Sequence, residues 1–265
     1  MRRLFLLFIL PFLAACATGP KVDTSYTAQG QDSRVLFLVL HYTVGNFESS
    51  VKMLTQGPVS SHYLVSDGRD GKPATIYRLV DENMRAWHAG PSVWNNHAGL
   101  NSSSIGIEIV NKGWIDTPNG RVFESFPDAQ MDRVLEISRD IIKRYNIKPD
   151  RVIAHSDIAP GRKQDPGPLF PWKRFADEGL VVWPKDDVVT FYRTAFTQQL
   201  PPVQWFQDRL AKHGFNWNVP RHGELDEATR NVISSFQMKY RSANYDGQPD
   251  VETAALLAAL TESKA

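Results

Sequence analysis

Two histidines and one aspartate of the chain are of the types that bind a catalytic metal ion. His41 ends the apolar run of residues 35–40, and His155 ends the shorter run of residues 151–154. Asp165 lies in the following loop, which is rich in glycine and proline. Two neutral imidazoles and one carboxylate, with a fourth position left for water, form the ligand set of a catalytic zinc site. The spacing alone leaves a second interpretation open, in which all three are hydrogen-bonded core residues.

Apolar runs and helical periodicity predict the elements that position these residues. Residues 35–40 are continuously apolar, which is typical of a strand buried on both faces. Functional side chains of open α/β sheets lie at the carboxyl ends of the strands, where both histidines are predicted. Strands that alternate with helices predict an α/β domain with a mixed central sheet flanked by helices. Further strands are predicted near residues 61–65, 75–80, 105–110 and 151–154, and the clearest helix over residues 128–145.

The composition changes after residue 184, and a pair of prolines at 201–202 marks a hinge before a distinct tail. We predict a linker over residues 186–202 and a small all-α domain of three short helices over residues 203–265. Asp226 and Asp250 each stand three residues before a threonine at the start of an apolar periodic segment. This pattern predicts two similar helix N-caps. Nothing in the tail indicates catalysis, so we interpret it as a packing or binding domain.

The N-terminus has the pattern of a cleaved leader. Two arginines precede an apolar run over residues 4–13, which predicts a signal peptide over residues 1–15. This run is much shorter than the roughly 18–20 residues that cross a bilayer. The string Leu-Ala-Ala-Cys at residues 13–16 resembles the lipobox of bacterial lipoproteins, which implies that Cys16 carries palmitate and a membrane anchor. Ala17 after the cysteine implies the outer membrane, with the domains facing the periplasm. Residues 16–33 are then a tether.

The composition excludes several classes of protein. The 265 residues are 42% hydrophobic and 22% charged, which is typical of globular chains and excludes a disordered one. A formal net charge of +1 gives no reason to expect nucleic acid as a partner. The single cysteine excludes an internal disulfide and a metal site built from several cysteines.

Five strings in the first two thirds of the chain carry a resemblance to a known family. They are residues 40–43 (LHYT), 60–65 (SSHYLV), 87–90 (WHAG), 104–108 (SIGIE), and 154–160 (AHSDIAP) with 163–168 (KQDPGP). Together they resemble the zinc-dependent N-acetylmuramoyl-L-alanine amidases of the type 2 amidase family, over residues 34–185. The tail resembles a three-helix peptidoglycan-binding domain, although Leu225 and residues 241–245 depart from its usual glycine-rich pattern.

The resemblance implies a role for five residues. His41, His155 and Asp165 would hold one Zn²⁺ ion per chain. Glu108 would be the catalytic acid and base, since it can take a proton from water and return it to the leaving amine. Lys163 would be a second catalytic residue that stabilises the oxyanion of the tetrahedral intermediate. From the residues alone, an exposed strand carboxylate and a solvated loop lysine are the alternatives for Glu108 and Lys163.

Substrate contacts are predicted at three further residues. We expect His88 to line the substrate groove, and the backbone of Ile109 and Val110 to pair with an extended stem peptide, as in strand addition. His62 is expected to form hydrogen bonds beneath the site. Packing or surface roles are expected for Trp94, Trp114, His97, His213 and His222.

The predicted function is hydrolysis of the amide between N-acetylmuramic acid, or its 1,6-anhydro form, and L-alanine of the stem peptide. The enzyme would act in cell-wall turnover or recycling, with peptidoglycan and muropeptides as partners, and we expect a monomer. Two alternatives stay open. One is a non-catalytic peptidoglycan-recognition protein on the same scaffold, and the other is a peptidase that cuts within the stem peptide.

Overall fold

The computed structural model describes residues 19–69, 71–118 and 120–262. Residues up to Asp32 form one unit, and its described part, residues 19–32, contains no helix or strand. All helices and strands described lie in the second unit, Ser33–Ala265. The predicted signal peptide and Cys16 lie outside the described residues. Within the described ranges, no helix has the length and apolar character needed to cross a membrane.

A five-stranded sheet forms the centre of the second unit, in the order β3-β2-β6-β1-β9. β1 is parallel to β6 and β9, β2 is parallel to β6, and β3 is antiparallel to β2. β4 with β5 and β7 with β8 form two small hairpins. The strands are β1 (Phe37–Tyr42), β2 (Tyr63–Val65), β3 (Ile76–Arg78), β4 (Val93–Trp94), β5 (His97–Ala98), β6 (Ser104–Ile109), β7 (Trp114–Thr117), β8 (Gly120–Phe123) and β9 (Val152–Ala154).

Helices cover both faces of this sheet and form the tail. They are α1 (Phe47–Gln56), α2 (Asp128–Tyr145), α3 (His155–Ile158), α4 (Trp172–Asp177), α5 (Asp186–Gln198), α6 (Val203–Leu210), α7 (Glu227–Tyr240) and α8 (Val251–Thr261). A wider helical turn over Ala211–Phe215 continues α6. The predicted fold class, an α/β domain with a mixed central sheet plus a helical region, is confirmed.

Alternate side chains of β1 face two different helical layers, as the period of two in a strand requires. Leu38 and Leu40 pack in one hydrophobic cluster with residues of α2. Phe37 and Val39 pack in another cluster with residues of α6, α7 and α8. The C-terminal helices therefore cover the second face of the central sheet. Residues 186–198 within the predicted linker form α5, which packs along α8 and pairs Arg193 with Glu252.

Both predicted N-caps of the tail are confirmed. The side chain of Asp226 accepts a hydrogen bond from the amide of Thr229 at the start of α7, and Asp250 accepts one from the amide of Thr253 at the start of α8. Such caps satisfy amide groups that the first helical turn leaves free. They define where both helices begin, which helps to place their apolar faces against the sheet.

The register of the strands brings the predicted site residues to one edge of the sheet. His41 in β1 is directly opposite Glu108 in β6. Leu40 is opposite Ala154, the last residue of β9, so His155 begins the next element at the same level. Because β1, β6 and β9 run parallel, their carboxyl ends meet at this edge.

Candidate metal centre and active site

Three of the predicted site residues converge on one point at this edge. His41, His155 and Asp165 are all buried. The two histidine Nδ1 atoms lie 2.9 Å apart, and Asp165 Oδ2 lies 3.0 Å from Nδ1 of His41 and 2.9 Å from Nδ1 of His155. Among the described residues, these three are the group of histidine and acidic side chains that can hold a metal ion. We call them the metal cluster.

Hydrogen bonds behind His155 leave its Nδ1 as an electron-pair donor. Nε2 of His155 lies 3.1 Å from the carbonyl oxygen of Ala89, which can only accept, so Nε2 carries the proton of the neutral ring. Nδ1 then presents its lone pair to Asp165 Oδ2. Two electron pairs that face each other in a buried site are stabilised by a cation between them. The residues of the metal cluster therefore fit a bound metal ion.

A chain of hydrogen bonds has the same effect on His41. The hydroxyl of Ser104 donates to the carbonyl of Leu100 at 2.6 Å, so its oxygen accepts from Nε2 of His88 at 3.1 Å. Nδ1 of His88 then accepts from Nε2 of His41 at 2.9 Å, which leaves the lone pair of His41 Nδ1 directed into the cluster. Outer hydrogen bonds of this kind orient metal-binding histidines. The ring of His88 is buried behind His41. Its role in lining the substrate groove stays a prediction.

Burial and charge set the protonation of the cluster. Burial, and the neighbouring His155 next, lower the pKa of His41 to about 4, so its ring is neutral near pH 7. Burial also holds the pKa of His88 well below its usual value. Burial alone would raise the pKa of Asp165, but the two histidines outweigh it and hold the pKa low. His41 thus presents a neutral ring and Asp165 a carboxylate, which are the forms that bind a metal ion.

Glu108 lies beside the cluster as a carboxyl group without a fixed partner. Its Oε2 atom is buried and makes no hydrogen bond with the described residues. Burial raises the pKa of Glu108 well above its usual value, the charge of Asp165 raises it further, and Lys163 opposes both. A carboxyl group with a raised pKa can both accept and donate a proton near neutral pH.

Lys163 and Asp165 line the same cleft of about 290 Å³. The structure therefore places Lys163 beside the metal cluster, where its ammonium group acts on the pKa of both His41 and Glu108. The cleft opens between the loop that carries Asp165 and the hairpin of β7 and β8. It is lined by Tyr42, Val44, Trp114, Arg121, Gly161, Arg162, Lys163, Gln164 and Asp165.

The predicted strand addition at Ile109 and Val110 is wrong, because β6 is a central strand. The carbonyl of Ile109 accepts from the amide of Thr43 at 3.1 Å, and the amide of Val110 donates to the carbonyl of Val65 at 2.9 Å. The carbonyl of Val110 also accepts from the side chain of Gln130 at 2.8 Å. These backbone groups are already used within the fold, so no sheet edge is open to a peptide there.

Sequence reasoning missed two residues that support the metal cluster. Ser104 and Ala89 lie within the strings SIGIE and WHAG, but neither is of a type that indicates a metal site by itself. Ala89 acts through its backbone carbonyl, which no sequence pattern distinguishes. His62, expected beneath the site, directs Nδ1 to the amide of Gly106 at 3.1 Å in the neighbouring strand.

A mixed α/β sheet with a buried His-His-Asp cluster and a free carboxyl group at its strand ends defines a hydrolase centre able to hold a metal ion. Comparisons with known proteins agree with this class. Residues 31–168 match the N-acetylmuramoyl-L-alanine amidase family, and residues 199–257 match a peptidoglycan binding domain family. The chain belongs to the N-acetylmuramoyl-L-alanine amidase family, and the predicted enzyme class is confirmed.

The similarity to individual relatives extends over nearly the whole chain. The chain is 41% identical to the N-acetylmuramoyl-L-alanine amidase AmiD of Escherichia coli, over 99% of this chain and 98% of that protein. The crystal structure of AmpDh3 from Pseudomonas aeruginosa in complex with anhydromuramic pentapeptide matches with a TM-score of 0.85 and 38% identity, over 93% of this chain and 98% of that one. AmiD in complex with the substrate anhydro-N-acetylmuramic acid-L-Ala-D-gamma-Glu-L-Lys matches with a TM-score of 0.83 and 40% identity, over 93% and 96%.

Proposed function

We propose that the chain uses one Zn²⁺ ion, held by His41, His155 and Asp165, to hydrolyse the amide between N-acetylmuramic acid and L-alanine. The observation that carries this proposal is the convergence of three buried metal-binding atoms within 3.0 Å of one another, beside an unpartnered carboxyl group. A zinc ion held there supplies Lewis-acid chemistry, which polarises the amide carbonyl and makes a water molecule acidic near neutral pH.

The residues around the metal cluster supply the proton transfers and the charge stabilisation. Glu108 accepts the proton of the attacking water and returns it to the leaving nitrogen of L-alanine, for which its raised pKa suits it. The ammonium group of Lys163, in the same cleft as Asp165, stabilises the negative charge that develops on the carbonyl oxygen. The solved relatives with anhydromuramyl ligands support 1,6-anhydro muropeptides as substrates of this chain as well.

Incubation with defined muropeptides tests this proposal. We expect release of the free stem peptide that begins with L-alanine, identified by mass spectrometry. A chelator abolishes the release and added Zn²⁺ restores it. The variant Glu108→Gln keeps the shape of the side chain and lowers kcat by about 10²–10⁴-fold while Zn²⁺ still binds. Cleavage within the stem peptide, or activity that is indifferent to metal removal, contradicts the proposal.

We also propose that Cys16 anchors the enzyme by lipid to the outer membrane, with residues 203–265 binding peptidoglycan and the chain acting as a monomer. The Leu-Ala-Ala-Cys string supports the anchor, and the family match of residues 199–257 supports wall binding. Labelling with a palmitate analogue should mark the wild type and not Cys16→Ala, and the label should fractionate with outer membranes. Retention of catalytically inactive Glu108→Gln on sacculi measures wall binding without digestion, and light scattering measures the mass in solution.

A further inference from the structure

Helix α7 packs directly behind the turn that carries His155. The ammonium Nζ of Lys239 in α7 lies 3.1 Å from Oδ2 of Asp157 in α3 and 3.3 Å from the carbonyl oxygen of Val152 in β9. The Lys239 side chain is 5% exposed and that of Asp157 is 2% exposed. A residue of the C-terminal helices therefore forms an ion pair deep within the part of the chain that matches the amidase family.

Asp157 joins this ion pair to the metal cluster. The oxygen that accepts from Lys239 also accepts from the amide of Ala154 at 2.9 Å, so one carboxylate closes the turn that contains His155. The amide of Ser156, between His155 and Asp157, donates to the carbonyl of Asp165 at 2.9 Å. The position of Asp157 thus influences where both His155 and Asp165 lie.

A second contact places α7 against the same segment. Gly161 has a φ of +77°, and a Cβ atom added there would lie 2.5 Å from Nδ2 of Asn231 in α7. Ile158 and Ala159 share a hydrophobic cluster with Phe236 of α7. The helix therefore contacts this segment both at Asp157 and at Gly161, and the ion pair is one of two close contacts.

The buried ion pair of Lys239 and Asp157 indicates a role in positioning the His155 turn more than a contribution to the stability of the fold. Burial of two charges is costly, and apolar residues of similar size often pack at least as favourably. Charged partners instead fix one geometry, because an alternative packing would leave a buried charge unpaired. The face of Trp172 also lies 4.4 Å from Nζ of Lys239, which holds the ammonium group in one place.

We propose that Lys239 is a positioning residue of the metal centre, acting through Asp157 on His155. The C-terminal helices are then part of the scaffold of the active site, in addition to any role in wall binding. This inference rests on the proposed function, since it takes the metal cluster as a Zn²⁺ site.

Competition for Zn²⁺ between the full chain and a chromophoric chelator tests this inference. We expect Lys239→Met to raise the dissociation constant for Zn²⁺ by about 10-fold, within the usual range for outer residues of metal sites. Lys239→Arg keeps the charge and the donors, and should bind Zn²⁺ more tightly than Lys239→Met, close to the affinity of the wild type. The double variant Asp157→Asn with Lys239→Met leaves no unpaired charge, retains an oxygen for the amide of Ala154, and should still bind Zn²⁺ about 10-fold more weakly.

Asn218→Ala is the matched control at the same interface. Its side chain donates to the carbonyl of Val93 at 3.1 Å, a hydrogen bond that involves neither Lys239 nor Asp157. This variant should lower the melting temperature without changing the affinity for Zn²⁺. Unchanged affinity in Lys239→Met and in the double variant overturns the inference while the zinc proposal stands. Absence of Zn²⁺ binding by the wild type overturns the zinc proposal, and the inference with it.

Discussion

The two histidines of the metal cluster are held by different parts of the chain. His41 is oriented from within the amidase-matching segment, through His88 and the hydroxyl of Ser104. His155 is oriented by the carbonyl of Ala89 and lies in a turn that the C-terminal helices hold through Lys239. One histidine therefore depends on the sheet and its loops, and the other depends also on a segment that matches a different family. The centre is assembled by both segments together.

Loss of Asp165 should have the largest effect, because its carboxylate contacts both histidines. We expect Asp165→Ala to weaken Zn²⁺ binding by more than about 100-fold, beyond the range for outer residues, and to reduce activity to background. Metal content and kcat/KM measure this. Gln164→Ala, next to it in the loop and bonded to Arg121 instead, is the control. Equal losses in the two variants would contradict a shared ligand role.

Acid should destabilise the metal-free protein, because His41 takes up a proton more readily in the unfolded chain than in the folded one. The pKa of His41 is about 4 when folded and about 6.5 in an unfolded chain, so the unfolded state binds more protons between these values. Stability is therefore full above pH 6.5 and falls as the pH drops toward 4, by about 3 kcal/mol from this residue. Urea unfolding of chelator-treated protein at several pH values measures the slope. His41→Asn should flatten the slope, and an unchanged slope would refute this assignment.

Removal of His88 should weaken Zn²⁺ binding through His41 and leave the support of His155 unchanged. His88→Phe keeps a ring of similar volume but removes the acceptor for Nε2 of His41. We expect Zn²⁺ affinity to fall by about 10–100-fold. A double variant with Lys239→Met then compares the two supports. Independent supports predict additive losses in binding free energy, whereas a combined loss no greater than the larger single one would show a single coupled network.

Ser104→Ala should have the smallest effect, since it acts on His41 only through His88. It leaves the buried Nε2–H of His88 without its acceptor, which costs stability of about 1–2 kcal/mol. We expect less than 10-fold loss of Zn²⁺ affinity, below the usual range for residues that bond directly to a metal-binding histidine. Ser102→Ala is the control, because Ser102 is exposed and its hydroxyl donates to the carbonyl of Gly99, away from His88. A larger loss of Zn²⁺ affinity in Ser104→Ala than in His88→Phe would contradict the proposal that Ser104 acts on His41 through His88.

The local sequence pattern predicted the strands and helices whose buried side chains form a clear apolar run or a clear helical period. The apolar run that ends at His41 and the periodicity of α2 both reflect which side chains are buried, so strand ends and helix bounds followed from them. The positions of His41 and His155 at neighbouring strand ends also followed, because parallel strands end at one edge.

Contacts between distant segments could not be predicted in this way. Whether β6 is a central or an edge strand depends on its partners, and the error at Ile109 and Val110 arose there. Lys239 is typical of an exposed helix residue by type, and only the packing of α7 on the sheet buries it. A local sequence pattern indicates that a face of a strand is apolar but does not indicate which element covers that face. The helices that cover Phe37 were therefore not predicted.

The hydrophobic cluster that joins the first strand to the last helix also affects the order in which the protein forms. Phe37 and Val39 are covered by residues as late in the chain as Leu257 and Leu260. Contacts between residues so distant in sequence form late and slow the folding of a chain. Until α8 has been synthesised and has docked, one face of the sheet is open to solvent and to other chains. A chain that ends early therefore exposes an aggregation-prone surface, and the hydrolase is assembled only when its last helix is in place.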